Sequence, residues 1–274
     1  MNIILVDSSY TTFYRFFATL RWYSFAHKDE YKNNNNPEYD WSNDNIFMEK
    51  YEKMYLSSIE KLFGPKIINN SKIIFCLDSP RNDLWRKKIN PNYKTRHDLS
   101  LKYNFKNVFN YTYSTLIPKL LNNNIYSIMI ETIEADDIIG AICLNYNNQQ
   151  NIIINIVSGD KDFHQLGENV HIYNYNKSKH NFTNDEAKKN LLHKLLFGDK
   201  SDKIESIFPK NFRNRKQYLD DPDKLNKLLE SNKEMKDKFM FNKLMIDFSM
   251  IPNNLVKKII KKFETLSFFS QIKK

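Results

Sequence analysis

Glu131-Thr132-Ile133-Glu134-Ala135-Asp136-Asp137-Ile138-Ile139-Gly140 follows the apolar run 125–130 and leads into another apolar segment, the pattern of a strand end turning into a helix. Four of its first seven residues are carboxylates. Like charges crowded at one turn repel, and folding avoids that cost unless cations balance it. Taken alone, the stretch fits a solvated acidic helix start equally well, since the helix dipole favours acids in a first turn. The surrounding chain decides between the two.

Asn2 to Val6 is a short apolar strand that stops at Asp7, and an aromatic helical run from Tyr10 to Trp22 follows. The polar interval 27–45 reads as a loop, and Ile46 to Phe63 has the apolar spacing of a helix that Gly64-Pro65 stops. Lys72 to Leu77 is a second strand, ending at Asp78. Tyr126 to Ile130 is a third and ends in the acidic stretch. Asn151 to Val157 is a fourth, running into Ser158-Gly159-Asp160-Lys161-Asp162. Val170 to Tyr175 reads as a fifth strand and Asn184 to Phe197 as a helix. This alternation predicts an α/β fold: a mostly parallel central sheet with helices on both faces. In such sheets the carboxyl ends of the strands share one edge, where sites form. Four successive strands each deliver an acid to that edge, too regular a pattern for four independent helix caps.

Composition narrows the chemistry. The chain of 274 residues is long enough for one large α/β domain with an appendage, and 41% hydrophobic residues can build a core. Cys76 and Cys143 lie in apolar segments, which argues for reduced thiols, against a disulfide or zinc site, and for a soluble, intracellular, cytosol-like setting. No apolar run approaches membrane-spanning length. The net charge of +10 points to a polyanionic partner. Its distribution is more telling. Nine of the 32 acids sit in the site-forming blocks, so the rest of the surface is more basic than the total implies. The segment from Arg81 to Arg96 interleaves cations with Trp85 and Tyr93, a mixture that suits phosphates and stacked bases; the bland alternative is a solvated basic helix. A carboxylate cluster without His or Cys selects Mg²⁺, with Mn²⁺ able to substitute. Two such ions about 3.5–4 Å apart can clamp the attacking water and the leaving oxygen of a phosphodiester.

Leu5-Val6-Asp7, Phe75-Cys76-Leu77-Asp78, Glu134-Ala135-Asp136-Asp137, Ser158-Gly159-Asp160-Lys161-Asp162 and Gly198-Asp199-Lys200-Ser201-Asp202-Lys203-Ile204 occur in the order found in the flap endonuclease, or 5′-nuclease, family. The chain resembles its phage-type members, including phage ribonuclease H, from Asp7 to about Ile251. The resemblance implies a PIN-like core over residues 1–185 with a helical arch at about 81–115, and a helical DNA-binding region over 186–274. It implies that Asp7, Asp78, Glu134 and Asp136 hold one metal, that Asp160, Asp162 and Asp202 hold a second, and that Asp137 and Asp199 act through water. Arg86, Lys87, Lys94 and Arg96 become candidates for gripping the scissile phosphate, with Arg81 beside them on the nucleic acid. Tyr14 and nearby Phe residues are candidates for stacking on a frayed base, although core packing accounts for most of them.

Residues from about Asp199 to Tyr218 correspond to the family's helix-three-turn-helix, which holds duplex. Here the chain departs from the family: no glycine follows Gly198, so the usual Gly-x-Gly hairpin is missing. Lys210, Arg213, Arg215 and Lys216 are the candidates to replace its backbone grip. The function implied is 5′-3′ exonuclease, flap endonuclease and ribonuclease H action on branched or nicked DNA and RNA–DNA hybrids. Primer removal by a monomer, beside a single-strand binding protein, fits that reading, and a viral protein in a host cell is one setting compatible with the phage-type motifs. The competing readings are a branched-DNA binding protein without catalysis, which would not require every acid of both metal sets, and a smaller toxin-type ribonuclease, which leaves the arch-like segment unexplained.

Overall fold

The computed structural model describes residues 1–94, 103–149, 151–176 and 178–269. Six strands form one sheet: β1 (Asn2–Asp7), β2 (Ser71–Leu77), β3 (Ile125–Met129), β4 (Ile153–Val157), β5 (Val170–Tyr173) and β6 (Lys179–His180). Their order is β3-β2-β1-β4-β5-β6, parallel throughout except for β6, which runs antiparallel against β5. The expected mostly parallel sheet is therefore observed, and the short β6 is an addition that its two residues could not signal. The interval 27–45 is also more ordered than a loop, holding the helix Lys28–Asn34 and a single turn at Trp41–Asn43.

Alternation along β1 divides the core. Ile3 and Leu5 face one side with Ile74, Cys76 and Ile128, covered by the helices Ala135–Tyr146 and Asn253–Glu264. Ile4 and Val6 face the other with Ile73 and Phe75, under the helices Ser8–Ala26 and Asn45–Phe63. A central strand buried on both faces must be apolar at every position, which is why β1 and β2 show no polar alternation. Both cysteines are free and buried in the first layer. Among the described residues, no helix is long and apolar enough to cross a membrane.

The helices Asn184–Phe197, Pro222–Ser231 and Lys233–Ile246 enclose a small core of Leu196, Ile207, Phe208, Tyr218, Leu225 and Met235. The last helix, Asn253–Glu264, instead returns to the sheet through Leu255, Ile259 and Phe263. Gly198 ends the helix Asn184–Phe197 at φ 74°. A Cβ there would lie 2.4 Å from the Ile204 carbonyl oxygen, because Asp199 and Ile204 exchange backbone hydrogen bonds across the following turn. Gly198→Ala is expected to cost about 2–3 kcal/mol in chemical denaturation. An unchanged midpoint would show that the turn can open without cost.

Candidate active site

The parallel register brings the carboxyl ends of β1, β2, β3 and β4 to one edge, and a cleft of about 320 Å³ opens there. Asp7, Asp78, Glu134, Asp136 and Asp160 line it, together with Arg81 and Lys94. Each acid is held by local backbone logic. Asp7 N-caps the helix Ser8–Ala26, accepting the Tyr10 N–H at 2.9 Å through Oδ1, while Oδ2 accepts the Ser158 hydroxyl at 2.8 Å. Asp78 reaches across from β2 and accepts the Ala135 N–H at 2.8 Å, capping the helix that the acidic stretch begins. Asp160 caps the turn Lys161–Gln165 by accepting the Asp162 N–H at 2.9 Å. Capping and site-building thus coincide at three positions: Asp7, Asp78 and Asp160 each accept a backbone N–H at the start of a helix or turn while lining the cleft.

Burial, followed by the neighbouring Asp78 charge, pushes the Asp7 carboxyl up to about 7. Asp136 is driven well above its ordinary range by burial, with Asp7, Asp160 and Asp78 adding to the repulsion and Lys94 opposing it. Burial also raises Glu134, but Lys94 and Arg86 outweigh it and hold that carboxyl below its usual value. Lys94 Nζ stands 2.8 Å from Glu134 and 3.5 Å from Asp136. The cleft is an anionic pit with one lysine bridging its wall.

The second set of acids gathers beside it. Lys194, on the helix Asn184–Phe197, ion-pairs with Asp162 and, at 2.9 Å, with Asp199. Burial and Asp160 raise Asp162 to about 6, against the pull of Lys194. Burial opposes ionisation of Asp199 too, yet Ser201 and Lys194 bring it down to about 2. Asp202 is buried, and that burial raises its carboxyl, with Lys94 opposing. Lys194 was not among the residues expected from sequence. Its only signal was its place one helical turn before Gly198-Asp199.

Several expected site residues stand elsewhere. Asp137 is fully buried and faces away from the cleft: Trp85 Nε1 donates to it at 2.8 Å, and Arg86 ion-pairs with it at 2.8 Å. Arg86 is itself only 3% exposed, and it also donates from Nη1 to Glu134 at 3.0 Å and from Nε to the Met245 carbonyl at 2.8 Å. The guanidinium is thus engaged by Glu134, Asp137 and the Met245 carbonyl. Tyr14 stacks on Tyr175 with ring centroids 4.4 Å apart and is not among the described residues lining the cleft, whereas Tyr10 and Phe13 are. Arg215 folds back onto the carbonyls of Phe212, Pro209 and Lys210, whereas Lys210, Arg213 and Lys216 are exposed. Lys87 is half-buried beside Arg86. Arg96 lies outside the described residues.

The donor set among the described lining residues is oxygen-only, which suits a hard divalent ion better than a thiolate or imidazole centre would. Among the described residues, no group of three or more His, Cys, Asp or Glu is drawn together tightly enough to hold a metal by itself. Unbalanced charge explains the spacing: the acids repel one another in a buried cleft, and Lys94 and Lys194 supply the positive charge between them.

A parallel α/β sheet carrying an acid-lined cleft at its carboxyl edge defines an α/β domain with its site at the strand ends. Residues 2–192 match the family model for the 5′-3′ exonuclease N-terminal resolvase-like domain, and the chain belongs to that family. Among solved structures it is similar to the bacteriophage T5 protein co-crystallised with metal ions, at TM-score 0.59 and 13% identity over 100% of both chains. It is similar to T5 5′-exonuclease with bound divalent zinc ions, at TM-score 0.61 and 13% identity over 97% of this chain and 99% of that one. The T5 flap endonuclease in a product complex with DNA and metal ions aligns at TM-score 0.55 and 13% identity, over 99% of both chains. At this identity the likeness is one of fold. No curated protein matches the sequence.

Proposed function

We propose that this chain is a structure-specific 5′ nuclease that hydrolyses phosphodiesters at 5′ ends or flaps of DNA and RNA–DNA hybrids, using two divalent ions. The observation that carries the reading is the convergence of Asp7, Asp78, Glu134, Asp136 and Asp160 from four strand ends on one cleft, with Lys94 on its wall. Family membership supports it, as do the T5 neighbours solved with metal ions and DNA. Asp7, Asp78, Glu134 and Asp136 would hold one Mg²⁺, and Asp160, Asp162 and Asp202 the other, with Mn²⁺ able to replace either. When bound, the ions supply Lewis acidity to the phosphoryl oxygens and an activated water.

The protein's own groups do the rest. Lys94 is the cation placed to meet the scissile phosphate, since ions taken up by Glu134 and Asp136 would release its ammonium toward substrate. Arg86 and Asp137 fix Glu134 from behind. Lys210, Arg213 and Lys216 are exposed to contact duplex phosphates, and Arg215 stiffens the loop that presents them. Primer removal by a monomer inside a cell, beside a single-strand binding protein, is the role this activity would serve.

The test is a 5′-labelled flap duplex and a 5′-labelled primer-template, each with Mg²⁺, with Mn²⁺ and with EDTA. Release of short 5′ products in either metal and none in EDTA is the expected result. Binding of branched DNA without metal-dependent cleavage would leave the non-catalytic binding protein as the reading.

A further inference from the structure

We propose that the Arg15 guanidinium is a binding point for one backbone phosphate of the nucleic acid, beyond the β4–β5 end of the cleft and outside the residues that line it, an inference that rests on the nuclease reading. Arg15 and Arg86 are the two arginines buried among the described residues, at 8% and 3% exposure. Their surroundings differ. Arg86 directs its donors to two carboxylates and a carbonyl. Arg15 has no carboxylate within ion-pair distance among the described residues, and its Nε, sealed from solvent, meets no acceptor there. A buried guanidinium without an anion is costly, and an orphaned donor of this kind points to an outside group that completes it.

What touches Arg15 is aromatic and neutral. Its guanidinium lies 4.5 Å from the Tyr14 ring centroid and 5.2 Å from that of Tyr175. Burial pushes the Tyr175 phenol up to about 12, with Thr11, Ser58 and Arg15 opposing, so at neutral pH that ring is uncharged and is no counter-ion. Rings attract the face of a guanidinium and leave its N–H edge unmet, and that edge is the part matched to a phosphate. The position fits as well. Tyr175 follows β5 and stacks on Tyr10 at 5.6 Å, and Tyr10 lines the cleft. Tyr10 packs so closely on Gly159, between Ser158 and Asp160, that a Cβ there would lie 2.7 Å from its ring. The stack of Tyr10, Tyr175 and Arg15 therefore leads outward from the carboxylate edge past β4 and β5, on the side opposite the loops after β2 and β3. Lys179 stands on the same side, exposed and 5.5 Å from the ring of Tyr173 at the end of β5. A strand lying in the cleft continues beyond it, and a second cation beside Arg15 suits a chain of phosphates.

The experiment measures binding of a 5′-flap duplex in EDTA over a range of salt, for the wild type and for Arg15→Met, which keeps the apolar stem and removes the guanidinium. The variant should bind roughly tenfold more weakly at low salt. Its slope of log affinity against log salt should be shallower by about 0.7–0.9, the contribution of one phosphate. In buffer without phosphate or nucleic acid its melting temperature should equal or exceed that of the wild type, because an unmatched buried charge has been removed. Single methylphosphonate linkages placed along the duplex locate the contact: one position should weaken the wild type and leave Arg15→Met unaffected. An unchanged salt slope, or a melting temperature below wild type, would mean that Tyr14 and Tyr175 already satisfy the guanidinium, and would overturn the inference. A rise in melting temperature with inorganic phosphate that Arg15→Met abolishes, while flap binding stays at the wild-type level, would overturn it too and assign the site to a small anion. Failure of the nuclease reading shows differently, as no cleavage in Mg²⁺ or Mn²⁺, and the salt slope in EDTA then still decides whether Arg15 takes a backbone phosphate.

Discussion

Asp7→Asn is expected to abolish 5′ cleavage and, without divalent ions, to make the protein more stable. The carboxylate is 5% exposed and stands among Asp78 and Asp160, and its ordinary acidity is pushed up to about 7 by burial and by the Asp78 charge. The direction follows from linkage. A carboxyl raised from 3.8 to about 7 on folding binds a proton more tightly in the folded state, so its ionisation destabilises the fold above pH 7. That penalty is relieved as the pH falls from 7 towards 4 and is absent below the unfolded value. Its size at pH 8 is on the order of 2–4 kcal/mol. Asparagine is isosteric, keeps an oxygen for the Tyr10 N–H, and presents an amide to which the Ser158 hydroxyl can turn as acceptor. Urea denaturation in EDTA should show the variant more stable than wild type at pH 8, with the gap shrinking by pH 4. Cleavage should fall about a thousandfold, the worth of several kcal/mol of metal-borne charge stabilisation. A variant less stable than wild type at pH 8 would mean that Asp7 is a satisfied structural cap and carries no strained charge.

Arg86→Met should cost about 3–5 kcal/mol of stability, far more than loss of a surface phosphate contact would. Removing the guanidinium leaves Asp137 fully buried with Trp85 as its remaining donor among the described residues, and leaves Glu134 with Lys94 and the Tyr93 hydroxyl. Lysine should not rescue it, because one ammonium cannot serve Glu134, both oxygens of Asp137 and the Met245 carbonyl in the geometry of the guanidinium fork. Adding Asp137→Asn should recover part of the loss by removing the stranded charge, which a double-mutant cycle in denaturant would measure. If Arg86→Met instead folds with wild-type stability and only turnover drops, Arg86 contacts substrate after all, as its place in the basic segment first suggested.

These two residues mark how far the sequence could be read. Asp7 was legible because strand periodicity, the stop after Val6 and the following helical run all act within a few residues, and the same local rules located Asp78, Glu134 and Asp160. The parallel sheet followed from the same alternation, since a crossover helix between strands leaves their carboxyl ends on one edge. Arg86 was not legible. In sequence it stands in a basic run that looks like a solvated face, but its partners Glu134, Asp137 and Met245 lie 48, 51 and 159 residues away. Lys194 was missed for the same reason, its partner Asp162 being 32 residues distant. The capture of Tyr14 by Tyr175 spans 161 residues.

What the sequence determined by itself is the set of acids, their order, and their delivery to one sheet edge, because hydrophobic periodicity and helix initiation are local and the pairing of apolar strands does the rest. Only the tertiary structure decided which charges face the cleft and which neutralise one another inside the protein. That choice is made by burial: a charge removed from water must find its partner wherever packing has placed one, and such distances are set by the folded chain and not by spacing along it.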